Sequence, residues 1–135
     1  MAMIAHQSGV GAIIANDQGE IVRSANVLPP QLNPLSSGAD GIEETDRYFV
    51  IEHAERAAVF KALVAGHSLV SATIYCTRFP CSDCARAIIW AGIGRAVFPT
   101  GFAGENRWLE TQRAALRMLR HAGIKVRYLG TNIAG

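Results

Sequence analysis

Two short clusters of the sequence combine metal-binding side chains with a group that can carry protons. The first is His53-Ala54-Glu55, and the second is Pro80-Cys81-Ser82-Asp83-Cys84, which begins 25 residues after Glu55. A catalytic zinc site needs three protein ligands, an open fourth position for water and a nearby proton carrier. We therefore predict that His53, Cys81 and Cys84 bind one Zn²⁺ and that Glu55 is the catalytic acid–base.

The spacing within each cluster predicts where it lies on its helix. His53 and Glu55 are two residues apart, so on a regular helix surface they would not face the same site. They can converge only at a helix start. Cys81 and Cys84 are three residues apart and share a face, and the preceding Pro80 suits a helix start as well. Two helix N-termini would then point at the metal, where their free amides and positive dipole ends favour thiolates.

C-x-x-C by itself does not define a catalytic site. The same spacing occurs in half of a structural zinc site and in redox pairs. A structural zinc site needs a fourth ligand, and Cys76 is the one remaining thiol of the sequence. We expect Cys76 to be an inert core residue of a strand. The other histidines have no partner at ligand spacing and are expected on the surface: His6, His67 and His121.

Hydrophobic patterning and turn residues predict five strands and three helices. The expected strands are Val10–Ala15, Glu20–Val27, Ala72–Thr77, Arg95–Phe98 and Lys125–Leu129. The expected helices are Glu52–Ala65, Cys81–Ala91 and Trp108–His121, and 28–41 is expected to be a loop. The first two strands should form a hairpin. The order β-β-α-β-α-β-α-β predicts an α/β layered domain with a partly parallel sheet.

Composition limits the class of protein. A chain of 135 residues, half of them hydrophobic, predicts one domain over residues 1–135 with a substantial core. A net charge of +2 gives no argument for nucleic acid or membrane binding. No apolar stretch is long enough to span a bilayer, and the first residues do not resemble a signal peptide. Three cysteines, two of them at metal-ligand spacing, favour a cytoplasmic location.

Several polar and aromatic residues allow two interpretations. Asn26 is either a polar residue at a strand edge or an amide that reads the substrate base. Trp108 is expected to pack in the core rather than stack on substrate. Arg113, Arg117 and Arg120 share one helix face, which is solvated or, alternatively, binds a phosphate or nucleic acid. The predicted core stripe consists of Trp108, Ala115, Leu119 and Ala122.

The pattern H-x-E followed by P-C-x-x-C is typical of zinc-dependent deaminases, in which the Glu is not a ligand. The chain resembles the cytidine deaminase superfamily and, within it, the deoxycytidylate deaminase branch. The similar stretches cover most of the chain: Gly9–Ile14, His53–Glu55, Thr73–Cys84, Ala87–Ile93 and Met118–Ile124.

The resemblance implies an α/β fold, a three-layer α-β-α sandwich around a five-stranded mixed sheet. It implies a hydrolase that acts on the C–N bond of a cyclic amidine in a cytosine-type nucleotide or nucleoside and releases ammonia. His53, Cys81 and Cys84 would be the zinc ligands and Glu55 the proton shuttle. Asn26 and Ala54 would contact the substrate. Members of this superfamily usually form homo-oligomers in which neighbours cover the active site.

Two alternatives stay open at this point. The chain could deaminate a purine or another small amino-heterocycle, because any amidine-like carbon next to a ring nitrogen suits the same chemistry. It could instead be a non-catalytic zinc-binding subunit that keeps the fold for assembly, although such a subunit has no need for Glu55. The sugar and phosphate state of the substrate is not fixed by the sequence.

Overall fold

A computed structural model gives the structure of the chain and describes residues 11–32, 43–102 and 106–129. The five strands are β1 (Gly11–Asn16), β2 (Gly19–Ala25), β3 (Thr73–Cys76), β4 (Arg95–Phe98) and β5 (Lys125–Tyr128). The helices are α1 (Arg47–Val50), α2 (Ala54–Val64), α3 (Ser82–Trp90) and α4 (Leu109–His121). Short 3₁₀ turns occur at Pro30–Leu32, Glu44–Asp46 and Asn106–Trp108.

The strands form one mixed sheet in the order β2-β1-β3-β4-β5. β1 runs antiparallel to both β2 and β3, whereas β3, β4 and β5 are parallel. The α3 and α4 crossovers connect the parallel strands, as parallel pairing requires. The predicted fold class, an α/β protein with a five-stranded mixed sheet and an initial hairpin, is confirmed.

One face of the sheet forms the core with the three long helices. Alternate strand residues point to this face and are buried: Ala12, Ile14, Ile74, Cys76, Ala96 and Phe98. Helix α2 contacts β1 and β2, α3 lies between α2 and α4, and α4 contacts β5. The third layer of the predicted sandwich stays a prediction, because the three long helices of the described residues pack on one face.

Small residues let α2 pack closely on the sheet and mark the end of α3. Ala54, Ala58 and Ala62 of α2 are buried, which lets this helix approach the sheet closely. Gly92 ends α3 with φ of 81°, a left-handed conformation that favours glycine at a helix C-terminus. A Cβ at Gly92 would also lie 3.2 Å from Cγ2 of Val70, so a side chain would be crowded there.

The prediction that Trp108 packs in the core was wrong. Ala115 and Leu119 are buried as expected, but Trp108 is 36% exposed and Ala122 is exposed. Trp108 ends a 3₁₀ turn before α4 begins, so it does not continue the helical stripe, and Arg107 lies over its ring. Helix α1 was not predicted. Among the residues that the structure describes, no helix is both long and apolar enough to cross a membrane.

Candidate metal centre and active site

The start of α2 is tied to the end of the β-hairpin. Val27 and Glu52 exchange two backbone hydrogen bonds of 3.0 and 2.7 Å. Beside them, Oδ1 of Asn26 accepts a hydrogen bond of 2.9 Å from the backbone N–H of Ala54. His53 is the N-cap residue, with extended backbone angles of φ −68° and ψ 147°. The hairpin therefore fixes the position at which the imidazole leaves the chain.

The start of α3 is built in a similar way. Cys81 is its N-cap residue, with φ −77° and ψ 172°, and its Sγ accepts the N–H of Cys84 at 3.5 Å. The N-cap acceptor is therefore a sulfur atom, where most helices have a hydroxyl or carboxylate oxygen. On the other side, Oγ1 of Thr111 in α4 accepts the N–H of Ser82 at 2.8 Å. Both cysteines are held at the first turn of one helix.

The structure brings the three predicted ligands together. Nδ1 of His53 lies 3.6 Å from Sγ of Cys81 and 3.4 Å from Sγ of Cys84. All three donor atoms lie within 4.8 Å of one another. Around a tetrahedral zinc ion, ordinary Zn–N and Zn–S bond lengths separate nitrogen and sulfur by about 3.6 Å. One imidazole and two thiols at this spacing fit a zinc ion with a free fourth position.

The titration of these three groups is coupled. The Cys84 thiol donates to Cys81, which holds the pKa of Cys81 at about 4 despite burial. Donation of this hydrogen bond to Cys81, together with burial, raises the pKa of the Cys84 thiol. The hydrogen bond to Cys81 raises the pKa of His53. A bound metal ion would replace the protons that these groups share, since thiolate and neutral imidazole are the ligand forms.

Glu55 is a buried carboxyl group beside the cluster. It is 4% exposed, and its Oε1 is a buried oxygen without a hydrogen-bond partner in the described part of the chain. Burial raises its pKa above the ordinary range, and Cys81 adds to this effect. Buried polar atoms are nearly always paired, so an unpaired one needs a reason. A carboxyl group kept ready to exchange protons with a ligand supplies that reason.

The predicted substrate contacts lie next to the ligands. Asn26 is half-buried, its oxygen accepts the N–H of Ala54, and its amide nitrogen has no partner in the described part of the chain. Ala54 is fully buried and its N–H is occupied by Asn26. Their roles in substrate binding stay predictions. Cys76 is buried in β3, where burial raises its pKa well above the usual value, as expected of a core thiol.

Two of the three arginines on this face of α4 lie away from the site. Thr111 marks the end of α4 that touches the start of α3. Arg117 and Arg120 follow it by six and nine residues, roughly 9 and 14 Å along the helix axis. They line an open groove with Ile89, Met118 and His121, near the C-terminal ends of α3 and α4. Arg113, Arg117 and Arg120 are all exposed, which agrees with the solvated interpretation.

The polar residues that surround the ligands were not predicted from the sequence. Arg56 pairs with Glu52 at 2.6 Å and with Asp83 at 3.5 Å. The four-residue spacing of Glu52 and Arg56 could have revealed the first pair. The second pair and the Thr111–Ser82 contact join residues 27 and 29 positions apart, and no local pattern predicts them.

Comparison with known proteins agrees with this geometry. Residues 2–100 match the family described as the cytidine and deoxycytidylate deaminase zinc-binding region. The chain belongs to this family. Its family and its His/Cys/Cys cluster both indicate zinc as the metal.

Three proteins that are similar to this chain are deaminases by name. A probable deoxycytidylate deaminase of Drosophila melanogaster is 31% identical over 86% of this chain, and a probable cytosine deaminase of Schizosaccharomyces pombe is 30% identical over 74%. The chain spans 59% of the length of each of these relatives. The dCMP deaminase of the cyanophage S-TIM5 superposes with a TM-score of 0.69 over 95% of this chain and 90% of its own, at 20% identity, and so shares the fold.

The ligand assignment can be tested with two cysteine variants. Cys84→Ala removes one donor of the cluster and should abolish tight zinc binding, whereas Cys76→Ala, which alters a buried thiol outside the cluster, should keep one zinc per chain. Zinc content is measured by atomic spectroscopy on purified proteins, with circular dichroism as a check of folding. Equal loss of zinc in both variants would make Cys76 a fourth ligand and the site a closed, structural one.

Proposed function

We propose that the chain is a zinc-dependent hydrolytic deaminase of a cytosine-type nucleotide or nucleoside, with one Zn²⁺ held by His53, Cys81 and Cys84. The observation that carries this proposal is the buried carboxyl of Glu55, whose Oε1 has no partner in the described residues. It lies two residues from His53 and interacts electrostatically with both His53 and Cys81. Three ligands, a free position and a proton carrier form a hydrolytic centre.

The chemistry requires several proton transfers at one place. Water adds to the ring carbon that bears the amino group, and the bond to nitrogen then breaks, so the amine becomes an oxo group and ammonia leaves. Zinc supplies a water molecule with a lowered pKa. Glu55 would take one proton from the attacking water and pass it to the adjacent ring nitrogen. It would then take the second proton, from the hydroxyl group that the water leaves on the ring carbon, and deliver it to the departing amine. A raised pKa, caused by burial, suits a carboxyl group that must both accept and donate near neutral pH.

The choice of a cytosine ring rests on the family and on the contacts beside the metal site. The Drosophila and Schizosaccharomyces relatives differ by name in the sugar and phosphate of their substrates but share the cytosine base. Here the amide nitrogen of Asn26, which has no partner among the described residues, would offer a donor to a ring carbonyl next to the ligands. Arg117 and Arg120 of α4 lie away from this site, so neither is assigned to a phosphate of the substrate. We also propose that residues 1–135 form a single domain and that the protein is cytoplasmic.

A non-catalytic zinc-binding subunit accounts poorly for Glu55. An unpaired buried carboxyl group costs free energy, about 1–3 kcal/mol or more. A structural zinc site with three ligands already in place gains nothing from it. Such a cost is typical of active sites, where stability is given up for reactivity.

The role of Glu55 is tested by Glu55→Gln. The amide has nearly the same shape but cannot carry protons, so turnover should fall by at least about 100-fold while zinc content is unchanged. The melting temperature of the metal-free protein should stay the same or rise, because a buried carboxyl group has been removed. Glu110→Gln, at an exposed position of α4, is the matched control and should behave as wild type. A Glu55→Gln protein that keeps more than a tenth of the activity contradicts the assignment.

The substrate class is tested by ammonia release from a panel of amino-heterocycles. We expect turnover of compounds among cytosine, cytidine, deoxycytidine and deoxycytidylate, and none of adenine or guanine compounds. The ratio of kcat/KM between deoxycytidine and deoxycytidylate measures what the phosphate contributes. Activity confined to purines, or to rings that are not nucleobases, would leave the hydrolytic mechanism standing but remove the cytosine assignment.

Self-association is part of the proposal, and helices α2 and α3 present a surface for it. Phe60, Leu63 and Val64 of α2 are largely exposed, as is Trp90 of α3, whose side chain is 88% exposed. The two helices contact each other, and we infer that these side chains contribute to one apolar surface. A patch of this kind marks an interaction site. We take the occupant of this surface to be a second copy of the chain, which a twofold axis would bring against the same residues.

Trp90→Glu should convert the proposed homo-oligomer into a monomer, because it places a charge in the apolar surface. Multi-angle light scattering at micromolar concentration measures the mass directly. Leu129→Glu is the matched control, since Leu129 is also an exposed apolar residue but follows β5. A wild-type protein that is already monomeric, or a Trp90→Glu protein of unchanged mass, counts against this interface.

A further inference from the structure

The two helices that carry the predicted ligands are joined directly by an ion pair. Arg56 projects from the first turn of α2, and Asp83 lies in the first turn of α3 between Cys81 and Cys84. Nη1 of Arg56 is 3.5 Å from Oδ2 of Asp83. We propose that the Arg56–Asp83 pair is an interhelix strut that sets the distance between the imidazole of His53 and the two thiols. The proposal rests on the zinc centre proposed above and names two positioning residues for it.

The strut is anchored at the His53 end by a second carboxylate. Nε of Arg56 lies 2.6 Å from Oε1 of Glu52. The same oxygen accepts the backbone N–H of His53 at 3.0 Å. A continuous set of contacts therefore runs from the backbone of His53 through Glu52 and Arg56 to the helix turn that holds both cysteines.

The Arg56 end of this pair is partly shielded from solvent, whereas the Asp83 end is exposed. The Arg56 side chain is 22% exposed and that of Glu52 28%, but the Asp83 side chain is 56% exposed. A guanidinium offers a fixed fork of donors and can bind two carboxylates at once, which an ammonium on a flexible stem does less well. Ion pairs with an exposed partner contribute little to stability. The proposed effect of the pair is on geometry: a shift of the start of α2 moves the imidazole of His53, and a shift of the start of α3 moves the thiols of Cys81 and Cys84.

Two simpler roles must be separated from a strut. Arg56 is close enough to interact electrostatically with Cys81 and Cys84, so its charge alone could favour thiolates. Asp83 could act only as an acidic residue at a helix N-terminus. Under these simpler roles the effects of the two residues are independent. If the two residues form a strut, the effect of changing one depends on whether the other is present, because each acts through the other.

A double-mutant cycle on zinc affinity distinguishes these cases. The variants are Arg56→Gln, Asp83→Asn and the double variant, and the measurement is the zinc dissociation constant of metal-free protein in competition with a chromophoric chelator at fixed pH. We expect each single change to weaken binding about 10-fold, as loss of a residue that orients a metal ligand does. The double variant should be no more than about 10-fold weaker as well, since the interaction is already lost.

Two control variants accompany the double-mutant cycle. Arg86→Gln removes a second, exposed arginine from Asp83 and should leave zinc affinity unchanged, because it leaves the strut intact. Arg56→Lys keeps the charge but not the fork, and should behave like Arg56→Gln. Absorption of the Co²⁺-substituted proteins reports ligand geometry independently of affinity, and its d–d bands should change with Arg56→Lys and Asp83→Asn but not with Arg86→Gln.

The outcomes separate the strut from the proposed function. Additive losses in the double variant, wild-type affinity in Arg56→Lys, or an unchanged Co²⁺ spectrum in Asp83→Asn would each overturn the strut. Zinc binding that follows the expected cycle in a protein that releases no ammonia from any substrate would keep the strut and overturn the deaminase. A wild-type chain that binds neither Zn²⁺ nor Co²⁺ would overturn both.

Discussion

The convergence of two helix N-termini on one small volume is the constraint on which the site depends. His53 and Cys81 are both N-cap residues with extended backbone, so their side chains leave the chain where the first free amides of α2 and α3 point. The positive ends of the two helix dipoles favour the thiolate form that a metal requires. The sheet makes this possible, because α2 packs on β1 and β2 while α3 follows the neighbouring strand β3.

The polar contacts around the ligands show how the positions are maintained. Asn26 holds the start of α2 from the hairpin side, and Thr111 holds the start of α3 from the side of α4. Arg56 spans the space between the two helices. Each ligand-bearing turn is thus fixed from more than one direction, which suits a site whose donor atoms must lie within a fraction of an ångström of metal-binding geometry.

The role proposed for Glu55 would set function against stability in this domain. Its neighbours in α2 are small apolar residues that pack closely on the sheet, among them Ala54 and Ala58. A carboxyl group buried there, with an oxygen that has no partner among the described residues, disrupts an otherwise apolar helix face. The surrounding core, with Ile14, Ile74 and Phe98 fully buried, supplies stability that can offset this local cost.

The sequence by itself determined the order of elements and the candidate donor groups. H-x-E and P-C-x-x-C name the donor atoms, and local periodicity and glycine positions such as Gly92 locate helices and strands, because these properties depend on neighbours within a few residues. The tertiary structure decided what depends on distant contacts. It placed Trp108 at the surface and the far arginines of α4 away from the site. It also paired Arg56 with Asp83, a contact between residues 27 positions apart that forms only once two helices have packed side by side.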